Sequence, residues 1–149
     1  MKRIALYPGT FDPFTVGHLS IVERGIQLFD EIIVAIGVNE SKKSVDSVQQ
    51  RVEHIKKVTS NIPGVRVISY TNLTVETAKE YGANFILRGV RTVADYEYER
   101  NLAYANRNLT GIETVLLYTL PELSYISSTM VKDLQRHGYD VSPYVPSEQ

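Results

Sequence analysis

Residues 8–18 read PGTFDPFTVGH and crowd prolines, glycines, threonines and a histidine between an apolar run and a helical pattern. Gly9 and Gly17 lack a Cβ, so a ligand can approach the main chain there. Thr10 offers a hydroxyl. His18 falls in the first turn of the following helix, where unpaired N–H groups and the helix dipole favour anions. The local alternative is that Thr10 and Thr15 bond nearby backbone and His18 caps the helix. A second set of candidates closes another apolar run, at Arg88-Gly89-Val90-Arg91. Two arginines around a glycine can fork onto phosphate oxygens from two directions. They can equally form ion pairs with Asp95, Glu97 or Glu99. A third set, Ser127, Ser128 and Thr129, stands at a helix start and offers hydroxyls and N–H groups, although hydroxyl caps occur at any helix. Lys42, in NESKKS, adds a cation that on composition alone reads as solvated surface. Together these residues point to a polyphosphate site.

The elements that must position them alternate along the chain. Residues 3–7, 31–38, 65–70, 83–89 and 113–119 read as near-continuous apolar strands. Helical stripes lie between them: Leu19, Val22, Ile26 and Phe29, then Val48, Val52, Ile55 and Val58. Ser47 and Gln50 have the spacing of a capping box, and Thr92 and Asp95 offer another. Gly82 and Gly138 are placed as helix stops. Apolar strands separated by helices predict a parallel sheet covered on both faces, an α/β doubly wound (Rossmann-like) fold. Such sheets bind ligands at the carboxyl ends of their strands, where strand order reverses, and the candidate residues sit at those ends. A single domain over residues 1–149 is expected, with a loosely held polar tail from about residue 141.

Composition narrows the chemistry. The 149 residues carry a net charge of −1 and no cysteine, with His18, His54 and His137 the only histidines. A chain-wide basic field for nucleic acid or anionic membrane is absent. Disulfides, thiolate catalysis and cysteine-ligated zinc are excluded, and a histidine-rich metal site is disfavoured. No apolar run is long enough to span a bilayer, and no secretory pattern opens the chain, so a cytoplasmic location is expected. The chain has no G-x-x-x-x-G-K-[ST] phosphate loop, no G-x-G-x-x-G after the first strand and no serine nucleophile elbow.

The segment YPGTFDPFTVGH, with Thr15-Val16-Gly17-His18 as [HT]-x-G-H, resembles the signature of the nucleotidyltransferase superfamily. ISSTMVK, residues 126–132, resembles its second motif. ILRGVRTVADYEYERNLAYANRNL, residues 86–109, resembles the phosphopantetheine adenylyltransferase family, and PGTFDP and SKK agree. The resemblance runs from Lys2 to about Pro146. It implies transfer of the adenylyl group of ATP to 4′-phosphopantetheine, giving dephospho-CoA and pyrophosphate in coenzyme A synthesis, with Mg2+. It also implies a homohexamer and feedback inhibition by coenzyme A.

By position, the resemblance puts Thr10 and the backbone of Phe11 between the two substrates. It gives His18 the role of transition-state stabiliser on the reacting phosphate. Lys42 and Arg88 hold the phosphopantetheine side, and both count with His18 as catalytic. Thr74 lines the pantetheine arm, where the family often has a bulkier apolar residue. Gly89, Val90, Arg91 and Glu99 hold ATP together with Leu123, Ser124, Tyr125, Ile126, Ser127, Ser128 and Thr129. Val16 stands where asparagine is common, and relatives usually add a final helix after the segment VSPYVP. No metal ligands are expected from the protein, the magnesium being carried mainly by ATP phosphates. The tyrosine-rich stretch 96–104 suits an interface or a core. Two rival readings remain: another acceptor within the superfamily, and a nucleotide sensor without chemistry.

Overall fold

The computed structural model describes residues 1–39 and 47–148. The elements follow in the order β1 (Ile4–Gly9), α1 (Val16–Gly25), β2 (Glu31–Gly37), α2 (Val48–Val58), β3 (Val65–Tyr70), α3 (Thr74–Glu80), β4 (Phe85–Val90), α4 (Val93–Thr110), β5 (Glu113–Tyr118) and α5 (Ser128–Arg136), with a 3-10 turn at Pro121–Leu123 before α5. The strands form one sheet in the order β3-β2-β1-β4-β5, and every neighbouring pair is parallel. The fold is the expected doubly wound α/β arrangement. Strand order reverses between β1 and β4.

The central strands are buried because both their faces are covered. Leu6, Ile32, Ile33, Val34, Ala35 and Ile36 have no exposed surface, which accounts for their uninterrupted apolar sequence. On one face Ala5, Tyr7, Ile32, Val34 and Leu87 pack with Ile21 and Val22 of α1 and Val52 and Ile55 of α2. On the other face Leu6, Ile33 and Ala35 meet Ala78 of α3 and Ala83. The stripe expected through Leu19 and Phe29 outlasts its helix: α1 ends at Gly25, and Phe29 reaches the same core from the turn before β2.

The Ser47–Gln50 capping box forms, each side chain accepting from the other's N–H at 3.1 and 2.8 Å. The Thr92–Asp95 pair forms only half of one. Thr92 accepts from the Asp95 N–H, but the Asp95 carboxylate accepts from the Arg91 N–H instead. A carboxylate drawn toward the Arg91 guanidinium, 3.7 Å away, does not turn back to the cap. After α5, the Tyr144 carbonyl accepts from the Val16 N–H at 2.9 Å, and the Pro146 carbonyl lies 3.1 Å from His54 Nε2.

Two features open the crevice at the strand ends. β1 pairs with β2 along its whole length, from Ile4 to Gly9, but with β4 only at Ala5–Phe85 and Leu6–Ile86. Beyond Leu6 the two strands separate, and the Arg88 guanidinium spans the gap to donate to the Pro8 carbonyl.

Candidate active site

Two cavities meet at this gap. The first, of about 420 Å³, lies over β2, β3 and α4 and is lined by Asn39, Tyr70, Thr74, Tyr98, Leu102 and Asn106 among others. The second, of about 490 Å³, lies over β1, β4 and the start of α5 and includes His18, Gly89, Arg91, Ser127, Ser128, Thr129 and Lys132. Pro8, Gly9, Thr10, Arg88 and Glu99 belong to both walls. A group in one cavity therefore faces a group in the other across Thr10 and Arg88.

His18 is held by the helix it begins. Thr15 is the N-cap of α1 and His18 is its third residue. The two close a capping box in which histidine takes the place usual for Glu or Gln. The Thr15 N–H donates to His18 Nδ1 at 2.9 Å, and the His18 N–H donates to Thr15 Oγ1 at 3.3 Å. A main-chain N–H can only donate, so Nδ1 is an acceptor and the neutral ring carries its proton on Nε2. Burial, reinforced by the charges of Arg88 and Arg91, pushes the His18 pKa from 6.5 down to about 3. The ring is a neutral donor at neutral pH. Phe11 and Phe14 pack against it, with ring centroids 4.9 and 5.5 Å away.

Gly9 has a different reason from the one its sequence suggests. A Cβ there would meet the Phe11 ring at 2.8 Å, so the glycine makes room for the protein's own aromatic. At Gly17 a Cβ would make only an ordinary contact, 3.4 Å from Thr15 Oγ1. Its position leaves the main chain at the start of α1 approachable from the second cavity.

Arg88 is committed on three of its donors. Nε donates to both carboxylate oxygens of Glu99 at 3.0 Å, Nη2 donates to Glu99 Oε2 at 2.7 Å, and Nη1 donates to the Pro8 carbonyl. Burial alone would lower the guanidinium's pKa, but the hydrogen bonds and charge of Glu99 outweigh it and hold it above its ordinary value. Glu99, the buried residue of α4, therefore faces Arg88. Burial raises the nearby Tyr7 phenol far above its usual range, with Arg88 opposing in part. Tyr7 is a neutral wall of the second cavity.

The start of α5 is partly self-satisfied. Ser127 Oγ accepts from the Met130 N–H as N-cap, and the Ser128 hydroxyl donates to the Pro13 carbonyl at 2.7 Å. Thr129 lines the cavity beside them. Of the residues expected to hold a nucleotide, Thr10, Phe11, His18, Gly89, Arg91, Glu99, Ile126, Ser127, Ser128 and Thr129 share the second cavity. Val90, Leu123, Ser124 and Tyr125 do not line it. Val90 is buried, Ser124 donates to the Pro121 carbonyl, and Tyr125 packs against Tyr144. Thr74 lines the first cavity, where its hydroxyl lies 3.0 Å from the Tyr70 hydroxyl. Lys42 lies outside the described residues.

Sequence reasoning missed the α4 contribution to the first cavity. Tyr98, Leu102 and Asn106 recur every fourth residue and form one face of that helix. The spacing was visible, but not the side to which the stripe turns. Lys132, 3.5 Å from Asp12, was inside a recognised motif yet not singled out.

Comparison with known proteins agrees with this architecture. The cytidylyltransferase-like family matches residues 6–134. The phosphopantetheine adenylyltransferase of Phocaeicola vulgatus is 50% identical over 97% of this chain and 95% of its own length. That of Caldanaerobacter subterraneus is 44% identical over 97% of this chain and 91% of its own. Among solved structures, a bifunctional NMN adenylyltransferase/ADP ribose pyrophosphatase from Francisella tularensis, complexed with AMP and a manganese ion, superposes with a TM-score of 0.72. It is 16% identical and covers 100% of this chain and 46% of its own, a likeness of fold alone. At half identity over nearly the whole length, with the [HT]-x-G-H loop and the late-helix motif on one cavity, the chain belongs to the phosphopantetheine adenylyltransferase family of cytidylyltransferase-like nucleotidyltransferases.

Proposed function

We propose that this protein transfers the adenylyl group of ATP to 4′-phosphopantetheine, releasing pyrophosphate and forming dephospho-CoA. The observation that carries the reading is the meeting of two cavities at Thr10 and Arg88, with His18 on the wall of only one. The second cavity takes ATP, and the more apolar first cavity takes the pantetheine arm, with Thr74 and Tyr98 beside it. The two reacting phosphates face each other across Thr10.

The acceptor phosphate needs no general base. Its second pKa is near ~6, so it is mostly dianionic at neutral pH. One of its oxygens attacks the α-phosphorus in line, and the bond from that phosphorus to the bridging oxygen of pyrophosphate breaks. The protein positions two mutually repelling anions and stabilises charge that grows on the α-phosphoryl oxygens. Arg88, fixed by Glu99 and Pro8, still has N–H donors for the acceptor phosphate, and the family resemblance gives Lys42 a share in that role. His18 Nε2–H is aimed by the Thr15 bond at Nδ1 and donates to the α-phosphoryl group. Arg91, Gly89 and the first turn of α5 hold the remaining phosphates.

Mg2+ enters this reading on the nucleotide's own phosphate oxygens. Among the described residues no three His, Cys, Asp or Glu stand together as a metal cage. We read the enzyme as cytoplasmic, where ATP is supplied; no described helix is long and apolar enough to cross a membrane. The exposed outer face of α4, with Tyr104 at 64% and Leu109 at 66% exposure, suits the subunit contacts of a homohexamer. Coenzyme A, which contains the product's own groups, fits the same pair of cavities as a feedback inhibitor.

The test is pyrophosphate release with ATP, magnesium and 4′-phosphopantetheine, beside nicotinamide mononucleotide and beside glycerol 3-phosphate with CTP. Release with phosphopantetheine alone is the expected result. Release only with another acceptor would overturn the substrate, and ATP binding without release would replace the enzyme with a sensor.

A further inference from the structure

We infer that Arg51 of α2 is a positioning residue that locks the Thr10–Phe11 peptide so that the Phe11 N–H faces the second cavity as a donor to the nucleotide's reacting phosphate. The inference rests on the nucleotidyl-transfer reading and adds to it a residue remote in sequence from every motif.

Arg51 is 6% exposed, and its Nη1–H donates to the Thr10 carbonyl at 2.7 Å, across 41 positions of sequence. The Thr10–Phe11 bond is trans, the cis bond of the described chain being Asp12–Pro13. In a planar trans peptide the carbonyl and the following N–H point in opposite directions. A Thr10 carbonyl drawn toward α2 therefore turns the Phe11 N–H away from α2. Phe11 belongs to the wall of the second cavity, yet its ring is packed against Tyr7, Phe14 and His18 and the residue is 3% exposed. With the ring packed away, Phe11 can bring only main-chain groups to that wall, and its N–H has no acceptor among the described residues.

The lock has something to oppose. Phe11 holds φ at 50°, in the left-handed region that ordinary side chains disfavour. A flip of the 10–11 peptide would relieve that conformation and turn the Thr10 carbonyl oxygen toward the incoming phosphate, where it would repel it. Packing does not explain Arg51 either. Its Nε is buried without a hydrogen-bond partner among the described residues, a cost that an apolar residue on the inner face of α2 would avoid. Holding the carbonyl is what the guanidinium does there that a methionine could not.

The experiment compares wild type, Arg51→Met and Arg51→Lys by amide NMR and by turnover. In wild type, the Phe11 amide resonance moves downfield when α,β-methylene-ATP is added. In Arg51→Met that movement is lost and kcat falls ~10–100-fold, as for a displaced oxyanion donor, while both KM values stay within ~3-fold. Arg51→Lys, keeping a donor on a shorter reach, recovers part of both. A Phe11 amide in wild type that ignores the analogue overturns the inference even if no variant folds. Unchanged turnover and an unchanged Phe11 response in Arg51→Met overturn it and leave the proposed function standing. A wild-type Phe11 response without pyrophosphate release supports the lock and removes the proposed reaction.

Discussion

Glu99 and Arg88 meet as a two-oxygen, two-nitrogen pair, with Nε and Nη2 of the arginine on one carboxylate at 3.0 and 2.7 Å. The carboxylate's side chain is 7% exposed and the guanidinium's 26%. Such a pair orients the arginine for a ligand while leaving the ligand-facing N–H groups available. Glu99→Gln keeps the shape and loses half of that grip. The expected outcome is a rise of about tenfold in KM for 4′-phosphopantetheine with kcat little changed. Steady-state kinetics against each substrate checks it, and a selective rise in KM for ATP would show Glu99 serving the nucleotide, as the resemblance implies, rather than acting through Arg88.

Arg88→Ala removes the cation and strands a buried carboxylate. Breaking a buried pair from one side costs about 3–5 kcal/mol, and the partial exposure of Arg88 argues for the lower end. A fall in melting temperature of about 6–12 °C is expected, with phosphopantetheine affinity lost by calorimetry. Arg88→Ala combined with Glu99→Ala should recover much of the stability and none of the affinity. Unchanged affinity in the single variant would take Arg88 out of the acceptor site.

His18→Gln separates the two duties of the histidine. Glutamine is at home in a capping box, so α1 should keep its N-terminus and the protein its fold. Turnover should still drop by at least ~10²-fold, as when an oxyanion donor is removed, with modest change in KM. Near-normal turnover would leave His18 with only the cap.

The pH dependence of stability has a definite sign. The folded His18 pKa, about 3, lies below the ordinary 6.5, so between those values the unfolded chain binds the extra proton. Stability from this residue is fully present above pH 6.5 and is lost as pH falls toward 3. Urea unfolding at a series of pH values should show that decline in wild type and a shallower one in His18→Gln. In the free protein, the imidazole resonances of His18 should not titrate between pH 8 and 5.

Gly9→Ala tests the packing beneath the loop. The added Cβ would lie 2.8 to 3.1 Å from three atoms of the Phe11 ring. Displacing that ring should destabilise the protein by about 1–3 kcal/mol and lower activity, because Phe11 packs directly on His18. Equal stability by thermal unfolding would mean that the ring has room to move.

How much of this was readable beforehand depended on how local each signal was. The strands declared themselves because burial on both faces leaves no reason for a polar residue among Ile32–Ile36. The Ser47–Gln50 box and the His18 cap depend on residues three apart, a distance that sequence displays directly. The resemblance of residues 86–109 located Arg88 and Glu99, and the ion pair between them was one of the alternatives that spacing offered; what spacing could not choose was Glu99 over Glu97 for Arg88, since only the turn of α4 decides which carboxylate faces the strand. Arg51 was invisible, since an arginine on a helix normally marks its wet side, and the contact of this one with the Thr10 carbonyl spans 41 positions of sequence. The Tyr98, Leu102 and Asn106 face was ambiguous for a related reason: its period defines a face, and only tertiary packing tells a cavity wall from a core or an interface.

The short ladder between β1 and β4 divides the sheet along a seam. β3, β2 and β1 lie on one side and β4 and β5 on the other, joined at the sheet level by Ala5–Phe85, Leu6–Ile86 and the reach of Arg88 to Pro8. Thr10 and His18 on one side and Gly89 and Arg91 on the other line one cavity, so a nucleotide bound there as proposed would act as a fastener across that seam. Binding free energy then adds directly to the stability of the fold, by about 2.7 kcal/mol at a hundred times the dissociation constant. On the proposed function, a cell with ample ATP would hold the enzyme in its sturdier form, and starvation for nucleotide would loosen the sheet at the seam between β1 and β4.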